Sequence, residues 1–355
     1  MKIIGVMSGT SLDGVDLASV EFKEENEQTI FSLQTCETIA YTNEWKKSLK
    51  ECIFLNAEAF CKLNVDYGHF LGKLVNDFIE KNNLSIDLIA SHGHTIFHQP
   101  QNKFTVQIGD GASIHAETKL SVVNDFRSLD VALGGQGAPL VPIGDQILFS
   151  DYNYCLNLGG IANISYQDKN QARRAFDICP ANMILNFLSE EIRLPYDKDG
   201  LHAEKGDLND QLFNQLNQLE YYRLSAPKSL SFEWFAEKFL PIVKSSSIST
   251  EDKFNTVCYH IAFQIGKTII GYDKNSKMLV TGGGAKNKFL ASLLKKYCTT
   301  EILIPDEKII DYKEALIFAL LGYLRVQNKT NVLSSVTGAS INSISGALHG
   351  SLISQ

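Results

Sequence analysis

The chain has 355 residues, of which 44% are hydrophobic and 21% are charged, a composition that excludes an intrinsically disordered protein. A single hydrophobic core stops growing at roughly 250 to 300 residues, so this length favours two domains. The 33 Lys and Arg residues against 40 Asp and Glu residues give a net charge of -7, which repels nucleic acid and anionic membranes. Neither is expected as a partner.

The cysteines and the apolar runs indicate the cellular compartment of the protein. Seven scattered cysteines contain no C-x-x-C pair, which argues against a disulfide framework and against a zinc site. No apolar run reaches the roughly 18 residues of a membrane span, and the stretch after Met1 is too short for a signal peptide. We therefore predict a cytoplasmic protein with reduced thiols.

The first predicted elements are two strands, Lys2 to Ser8 and Gly14 to Phe22, around a Gly/Ser/Thr turn. Glycines permit the backbone angles with which amides and hydroxyls of this turn converge on an anion. A simple hairpin is the alternative. Asp13 lies where a carboxylate would hold a magnesium ion through water, or it faces solvent.

Two helices, within residues 44–62 and 66–81, and a buried strand at residues 88–90 follow. His92 and His94 flank a glycine shortly after this strand. A satisfied structural histidine is the default interpretation of both. Arg127 could bind a carboxylate or phosphate through two hydrogen bonds, or pair with a surface Asp. The glycines at residues 134–137 suit a hinge or a tight packing turn. We place the domains at 1–130 and 131–355, with the last segment able to pack back on the first domain.

The pattern of strand, glycine turn and strand recurs in the second half, at residues 154–165 around Gly159 and Gly160. A third glycine turn, Gly282 to Gly284, follows a strand at Lys277 to Thr281 and precedes a helix, whose N-terminal amides favour an anion. A turn without a ligand is the alternative. Further helices are predicted near residues 183–193, 232–243, 253–271 and 312–325. The alternation of strands and helices predicts an α/β fold, and the recurrence suggests a duplication.

Asp177 is the candidate for acid–base chemistry. It precedes Ile178-Cys179-Pro180-Ala181-Asn182 at a predicted junction of strand and helix. A carboxylate there could equally cap the helix. The residues alone leave both roles open.

Seven segments together resemble the anhydro-N-acetylmuramic acid kinase family across nearly the whole chain. They are GVMSGTSLDGVD (5–16), SHGHTIFHQP (91–100), VQIGD (106–110), NDFRSLDVALGGQGAPLVP (124–142), LNLGGIANIS (156–165), TGGGAKN (281–287) and SVTGAS (335–340). Several are long and unusual, so chance similarity is excluded.

The resemblance implies the fold of the actin-like, sugar kinase and Hsp70 ATPase superfamily: two duplicated ribonuclease H-like α/β domains with ATP in an interdomain cleft. It implies a cofactor-binding set made of Gly9, Thr10, Ser11, Asp13, Gly14, Gly159, Gly160, Gly282, Gly283, Gly284 and Asn287. It also implies substrate contacts from Arg127, His92 and Asn182, Mg²⁺ held by Asp13 through water, and a possible homodimer.

The activity implied by the resemblance is ATP-dependent opening of the 1,6-anhydro bridge of anhydro-N-acetylmuramic acid by water, with phosphorylation of O6. Asp177 matches the family's general base, and the product, N-acetylmuramic acid 6-phosphate, belongs to cell-wall recycling. A kinase for another amino sugar, or a nucleotide- and sugar-binding sensor without turnover, are the alternatives.

The chain departs from the family pattern at three places. Ile178-Cys179-Pro180-Ala181 replaces T-G-P-G, Asp145 follows Ile143-Gly144 where an aromatic residue and His are usual, and His94 stands where Gln is typical. If Ala181 replaces a glycine with positive φ, the loop must be reshaped.

Overall fold

The computed structural model describes residues 1–9, 12–269 and 276–351. They form two compact units, one made of Met1–Leu148 with the segment from Tyr312 onward, the other made of Phe149–Asp311.

The strands are β1 (Lys2–Ser8), β2 (Gly14–Glu25), β3 (Gln28–Ala40), β4 (Leu88–Gln99), β5 (Phe104–Ile108), β6 (Ser121–Asn124), β7 (Tyr154–Leu158), β8 (Ile161–Gln167), β9 (Arg173–Pro180), β10 (Lys277–Thr281), β11 (Glu301–Leu303) and β12 (Ala347–His349). The helices are α1 (Asn43–Glu51), α2 (Ala57–Asn82), α3 (Gly111–Thr118), α4 (Ser128–Ala132), α5 (Val141–Leu148), α6 (Asn182–Glu191), α7 (Leu201–Lys205), α8 (Asp210–Asn217), α9 (Phe232–Trp234), α10 (Leu240–Ser245), α11 (Thr250–Thr268), α12 (Lys288–Tyr297), α13 (Glu307–Val326) and α14 (Ser334–Thr337).

The two units repeat one strand order. In the first unit the sheet runs β12-β6-β4-β1-β2-β3, with β5 paired to β4; in the second it runs β11-β10-β7-β8-β9. In each unit the first three strands pair antiparallel, and the first strand also pairs in parallel with the strand after the crossover. This is the ribonuclease H-like topology, present twice. The predicted α/β fold and its duplication are confirmed.

The elements that were predicted are found with shifted ends. The region predicted as helical at 232–243 is α9, a π-helical turn at Phe235–Phe239 and α10. Other elements were not predicted: strands β3, β5, β6, β11 and β12 and helices α3, α4, α5, α7, α8 and α14. In β3 no residue is fully buried, so it shows little of the apolar alternation that identifies a strand. In the described part of the chain, no helix has both the length and the hydropathy that a membrane span requires.

The compact units differ from the predicted domains 1–130 and 131–355, because residues 131–148 pack within the first unit. The carboxylate of Asp130 accepts hydrogen bonds from the Gly137 amide and the Thr337 hydroxyl, both at 2.7 Å. A Cβ atom on Gly144 of α5 would lie 2.0 Å from Ile317 of α13. The glycine run at 134–137 is therefore a packing turn, and the chain leaves this unit only after Leu148.

Gly5 allows helix α13 to pack directly on strand β1. A Cβ atom at Gly5 would lie 1.9 Å from the carbonyl oxygen of Ala315, so we expect Gly5→Ala to lower the free energy of unfolding by about 3 kcal/mol, at the upper end of ordinary overpacking. Gly134→Ala is the matched control, because no atom lies within 4 Å there and only the left-handed φ of 86° is penalised, by about 1 kcal/mol. Urea unfolding measures both. Equal losses would contradict the close packing.

Candidate active site

The second and third glycine turns meet at the start of helix α6, inside the second unit. The Asn182 amide group donates to the Leu158 carbonyl at 2.9 Å, and the Asn182 backbone donates to the Gly159 carbonyl at 3.0 Å. A Cβ atom on Gly283 would lie 3.6 Å from the same Asn182 side chain. The structure thus brings together Gly159, Gly160, Asn182 and Gly282 to Gly284.

The glycines of these turns differ in what they require. Gly282 has φ of 80°, and a Cβ atom there would lie 2.5 Å from the side-chain oxygen of Asn157, so the turn needs glycine. At Gly160 the nearest atom would be 3.8 Å away. The backbone at Gly160 and Gly283 is thus less closely packed than at Gly282, with room for one further atom in ordinary contact with Met183 or Asn182.

Asn287 caps the helix that follows the third turn. Its side-chain oxygen accepts from the backbone N–H of Leu290 at 2.9 Å, and the residue is buried. Since that oxygen satisfies one of the free amides at the start of α12, the geometry assigns it a capping contact. Direct contact of Asn287 with a nucleotide stays a prediction.

Asp177 lies near the end of β9, opposite Asn163 of β8. One carboxylate oxygen, Oδ2, accepts a hydrogen bond from the backbone N–H of Leu230 at 2.8 Å. The Asp177 backbone is held as well, since its N–H donates to the Lys228 carbonyl and its carbonyl accepts from the Tyr221 hydroxyl at 2.6 Å. Among the described residues, no donor lies within hydrogen-bond distance of Oδ1, which leaves that oxygen available to a ligand.

The electrostatics of Asp177 suit proton transfer. Burial raises the pKa of this carboxyl above its usual range, and the hydrogen bond from the Leu230 amide opposes the rise. A carboxylate with a raised pKa binds a proton more readily. Asp177 lies within β9, three residues before its last residue Pro180, and the N-cap residue of α6 is Ala181, so Asp177 does not cap that helix.

The segment Ile178 to Ala181, which departs from the family pattern, does not require a left-handed backbone conformation at Ala181. Ala181 has φ of -127°, so no glycine is needed there. Its N–H donates to the Gly160 carbonyl at 2.8 Å, which fastens the segment to the second glycine turn. Cys179 is fully buried and belongs to the core of this unit.

Sequence reasoning missed the segment that holds Asp177. This segment lies 44 to 53 positions further along the chain and contributes Tyr221, Lys228 and Leu230. Lys228 and Leu230 contact Asp177 through their backbone atoms. Every residue except proline has a backbone N–H, so the contact of the Leu230 amide with Asp177 cannot be predicted from a side-chain motif.

In the first unit, the turn between β1 and β2 is held at both ends. The Leu12 amide donates to the Gly9 carbonyl at 3.3 Å, and the Tyr41 amide donates to the Asp13 carbonyl at 3.4 Å. Gly14 is required by close strand packing, because a Cβ atom would lie 2.5 Å from the Ile39 carbonyl oxygen. Thr10 and Ser11, which are predicted to bind the cofactor, lie outside the described residues.

The side chains of Arg127 and His92 are joined by a hydrogen bond. The Nε atom of Arg127 donates to Nε2 of His92 at 3.0 Å, and Nη1 donates to the Gly137 carbonyl at 2.6 Å. Nδ1 of His92 lies 2.9 Å from the Gly93 carbonyl, which fixes the proton on Nδ1 and the acceptor on Nε2. Burial lowers the pKa of His92 well below its usual range, so the ring is neutral.

The guanidinium group of Arg127 remains charged. Burial lowers its pKa to about 10, and the nearby carboxylates of Glu314 and Asp130 oppose that shift. No partner within the described residues engages Nη2. Arg127 therefore presents a charged, oriented donor, and His92 determines its orientation.

Asp13 is the residue predicted to hold Mg²⁺ through water, and its side chain is exposed. Within residues 1–9, 12–269 and 276–351, no group of three or more His, Cys, Asp or Glu side chains is arranged to hold a metal directly. An exposed carboxylate next to the first turn fits an ion held through water molecules.

Two units with the same ribonuclease H-like topology, each carrying a glycine turn directly after its first strand, define a protein of the actin-like ATPase and sugar kinase class. The second unit adds the half-buried carboxylate of Asp177. The class is the one predicted from the sequence.

Comparisons with known proteins define the family. The family model described as "Anhydro-N-acetylmuramic acid kinase" matches residues 1–351. Proteins named anhydro-N-acetylmuramic acid kinase from Vibrio vulnificus (strain CMCP6) and Bacillus thuringiensis subsp. konkukian are 36% and 33% identical, covering 98% and 96% of this chain and 97% and 96% of their own. The chain belongs to the anhydro-N-acetylmuramic acid kinase family.

Among solved structures, the activator of the 2-hydroxyisocaproyl-CoA dehydratase from Clostridium difficile with bound ADPNP is similar to this chain with a TM-score of 0.47. The two share 15% sequence identity over 92% of this chain and 96% of that chain.

Proposed function

We propose that this kinase opens the 1,6-anhydro bridge of anhydro-N-acetylmuramic acid with water and transfers the γ-phosphoryl group of ATP to O6. Asp177 takes a proton from the water molecule as its oxygen bonds to C1. The bond between C1 and O6 breaks, and O6 bonds to the phosphorus while ADP leaves. One sugar, one water and one ATP give N-acetylmuramic acid 6-phosphate, ADP and a proton.

The observation that carries this proposal is the state of the Asp177 carboxylate. The Leu230 amide holds Oδ2 at 2.8 Å, and Oδ1 is left for a water molecule. The raised pKa favours proton acceptance. A carboxylate that only caps a helix would accept from an amide of that helix, and Asp177 accepts from Leu230 instead.

The phosphate groups of ATP are proposed to lie against the glycine turns. Gly9 and Gly14 delimit one turn, Gly159 and Gly160 form the next, and Gly282 to Gly284 form the third, on the adenosine side. Asp13 would hold Mg²⁺ through water, and that ion would supply charge neutralisation for the transferred phosphoryl group.

The sugar is proposed to meet Arg127 and Asn182. Arg127 would bind the carboxylate of the lactyl group through the free Nη2 edge of its guanidinium group. We propose that His92 orients Arg127 through Nε2, and the predicted direct contact of His92 with the substrate stays a prediction. Cytoplasmic location and assembly as a homodimer stay predictions.

The test of this function is ADP release with three sugars: anhydro-N-acetylmuramic acid, N-acetylmuramic acid and N-acetylglucosamine. We expect turnover with the anhydro sugar, giving a product whose mass has gained both water and a phosphoryl group. Turnover with only a plain amino sugar would instead support the alternative in which Asp177 deprotonates a hydroxyl group. Nucleotide binding without turnover on any sugar would support the sensor.

Replacing His92 separates sugar binding from catalysis. We expect His92→Ala to raise KM for the sugar by about tenfold, because a hydrogen bond to a charged group contributes about 1.5 to 3 kcal/mol. KM for ATP should stay unchanged. His92→Gln keeps a neutral acceptor for Arg127 and should restore most of the affinity. Steady-state kinetics with each substrate varied in turn measures this, and an equal rise in both KM values would contradict it.

A further inference from the structure

Four buried polar groups meet at the end of strand β1, directly before the first glycine turn. The Ser8 hydroxyl lies 2.6 Å from the Tyr41 hydroxyl, 2.9 Å from the Tyr67 hydroxyl and 2.8 Å from Nδ1 of His94. The two tyrosine hydroxyls also contact each other at 2.5 Å. All four residues are at most 5% exposed.

Counting protons fixes the state of the histidine. Three hydroxyl groups carry three protons, but the cluster contains four close contacts. Each short contact between polar atoms requires one proton, so the fourth proton must lie on Nδ1 of His94. With Tyr67 donating to Ser8, Ser8 donates to Tyr41, Tyr41 donates to Tyr67, and His94 donates to Ser8. Any other tautomer leaves two oxygens 2.9 Å apart or closer without a proton between them.

This arrangement uses the whole capacity of the Ser8 hydroxyl. Its oxygen accepts two hydrogen bonds and its proton is donated, so the hydroxyl is not available to a phosphate group. Burial also lowers the pKa of His94 to about 4, which keeps the ring neutral at neutral pH. Ser8 therefore anchors the chain, and its hydroxyl is not part of the phosphate site.

The same cluster reaches both ends of the first glycine turn. The hydroxyl of Tyr41 contacts Ser8, which precedes the turn, while its backbone N–H donates to the carbonyl of Asp13, which ends it. Ser8 and His94 are also register partners in the parallel pairing of β1 with β4. Tyr67 packs edge-on against Trp45, with ring centroids 5.3 Å apart, which restrains the ring that donates to Ser8.

We propose that His94, as a neutral Nδ1–H donor, is a positioning residue that completes this hydrogen-bonded cluster and so sets the first glycine turn for nucleotide phosphate. The inference rests on the proposed function only in taking this turn to bind nucleotide. It does not depend on the sugar. Because the requirement is a neutral donor, Gln can replace His94, and an apolar residue cannot.

The experiment compares ADP binding, with Mg²⁺ present, by calorimetry in the natural chain and in variants. We expect His94→Leu and Tyr41→Phe to weaken ADP binding by about tenfold, since each removes a buried hydrogen bond that holds Ser8 at the start of the turn. His94→Gln should bind ADP like the natural chain. Tyr323→Phe is the control, because it removes a hydroxyl that donates to Glu24 at 3.0 Å, away from the cluster.

Three outcomes would overturn the proposal. Unchanged ADP binding in His94→Leu would remove the positioning role while leaving the proposed kinase reaction intact. A nitrogen NMR spectrum of His94 with an unprotonated Nδ1 would contradict the proton count, whatever the activity. Conversely, a chain that binds ADP and responds to His94→Leu but phosphorylates no sugar would support this inference and refute the proposed function. A natural chain that binds no ADP would refute both.

Discussion

Asp177→Asn is expected to lower kcat by about 10²- to 10⁴-fold, the usual contribution of a general base. Asn keeps an oxygen that accepts from the Leu230 amide, so the hydrogen bond at 2.8 Å survives and only proton acceptance is lost. KM for ATP should change little. Asp168→Asn is the matched control, because Asp168 lies at the turn between β8 and β9 and pairs with Arg174. Activity of Asp177→Asn close to that of the natural chain would contradict the assigned base.

The pH dependence of the natural enzyme follows from the raised pKa of Asp177. The base works only when ionised, so kcat/KM should fall as the pH drops through a pKa above the usual range for Asp. The free energy of unfolding changes with pH in the opposite direction to the activity. Burial penalises the ionised form of Asp177, so this residue lowers stability at pH values above its folded pKa. Removing the charge in Asp177→Asn should therefore not lower the melting temperature at neutral pH, which separates a catalytic loss from unfolding.

Lys313→Met is expected to lower the free energy of unfolding by about 3 to 5 kcal/mol, because it leaves the Asp145 carboxylate buried without its cation. Nζ of Lys313 lies 2.7 Å from Oδ1 of Asp145, and the two side chains are 7% and 4% exposed. Urea unfolding measures the loss.

The chain offers an exposed ion pair of the same length as a control. Lys62 and Asp66 of α2 are also 2.7 Å apart, but their side chains are 73% and 46% exposed. Lys62→Met should therefore cost at most about 0.5 kcal/mol. The double change Lys313→Met with Asp145→Leu should recover most of the stability, since an apolar pair of similar volume often replaces a buried ion pair without loss. Similar costs for the two single Lys changes would refute the role of burial.

The sequence predicted the parts of the molecule whose signal is local. Strands β1, β2, β7, β8 and β10 are apolar runs that border glycine turns, and both their positions and their duplication were predicted correctly. Strand β3 escaped because it is half-exposed along its whole length. The boundary of the first unit escaped because the contacts that hold residues 131–148, such as Asp130 with Thr337, join positions 207 apart in the sequence.

In the candidate site, too, the features with a local sequence signal were predicted and those set by long-range contacts were not. Asp177 and the glycine turns were proposed from residue type and spacing, and Asn182 from the family resemblance; the second unit brings Asn182 against two of those turns. The partners that determine what each residue does were not found. Leu230 contributes only a backbone amide, and His94 reaches Ser8 from 86 positions away. Such contacts depend on tertiary structure, which local patterns do not encode.

The central claim is that one site adds both water and a phosphoryl group to an anhydro sugar. The most direct measurement is turnover of anhydro-N-acetylmuramic acid and ATP in water enriched in heavy oxygen, followed by mass analysis of the early product. We predict a sugar phosphate with one heavy oxygen at C1 and none in the phosphate group. A phosphorylated sugar that keeps its anhydro bridge, or heavy oxygen only in free phosphate, would contradict the account.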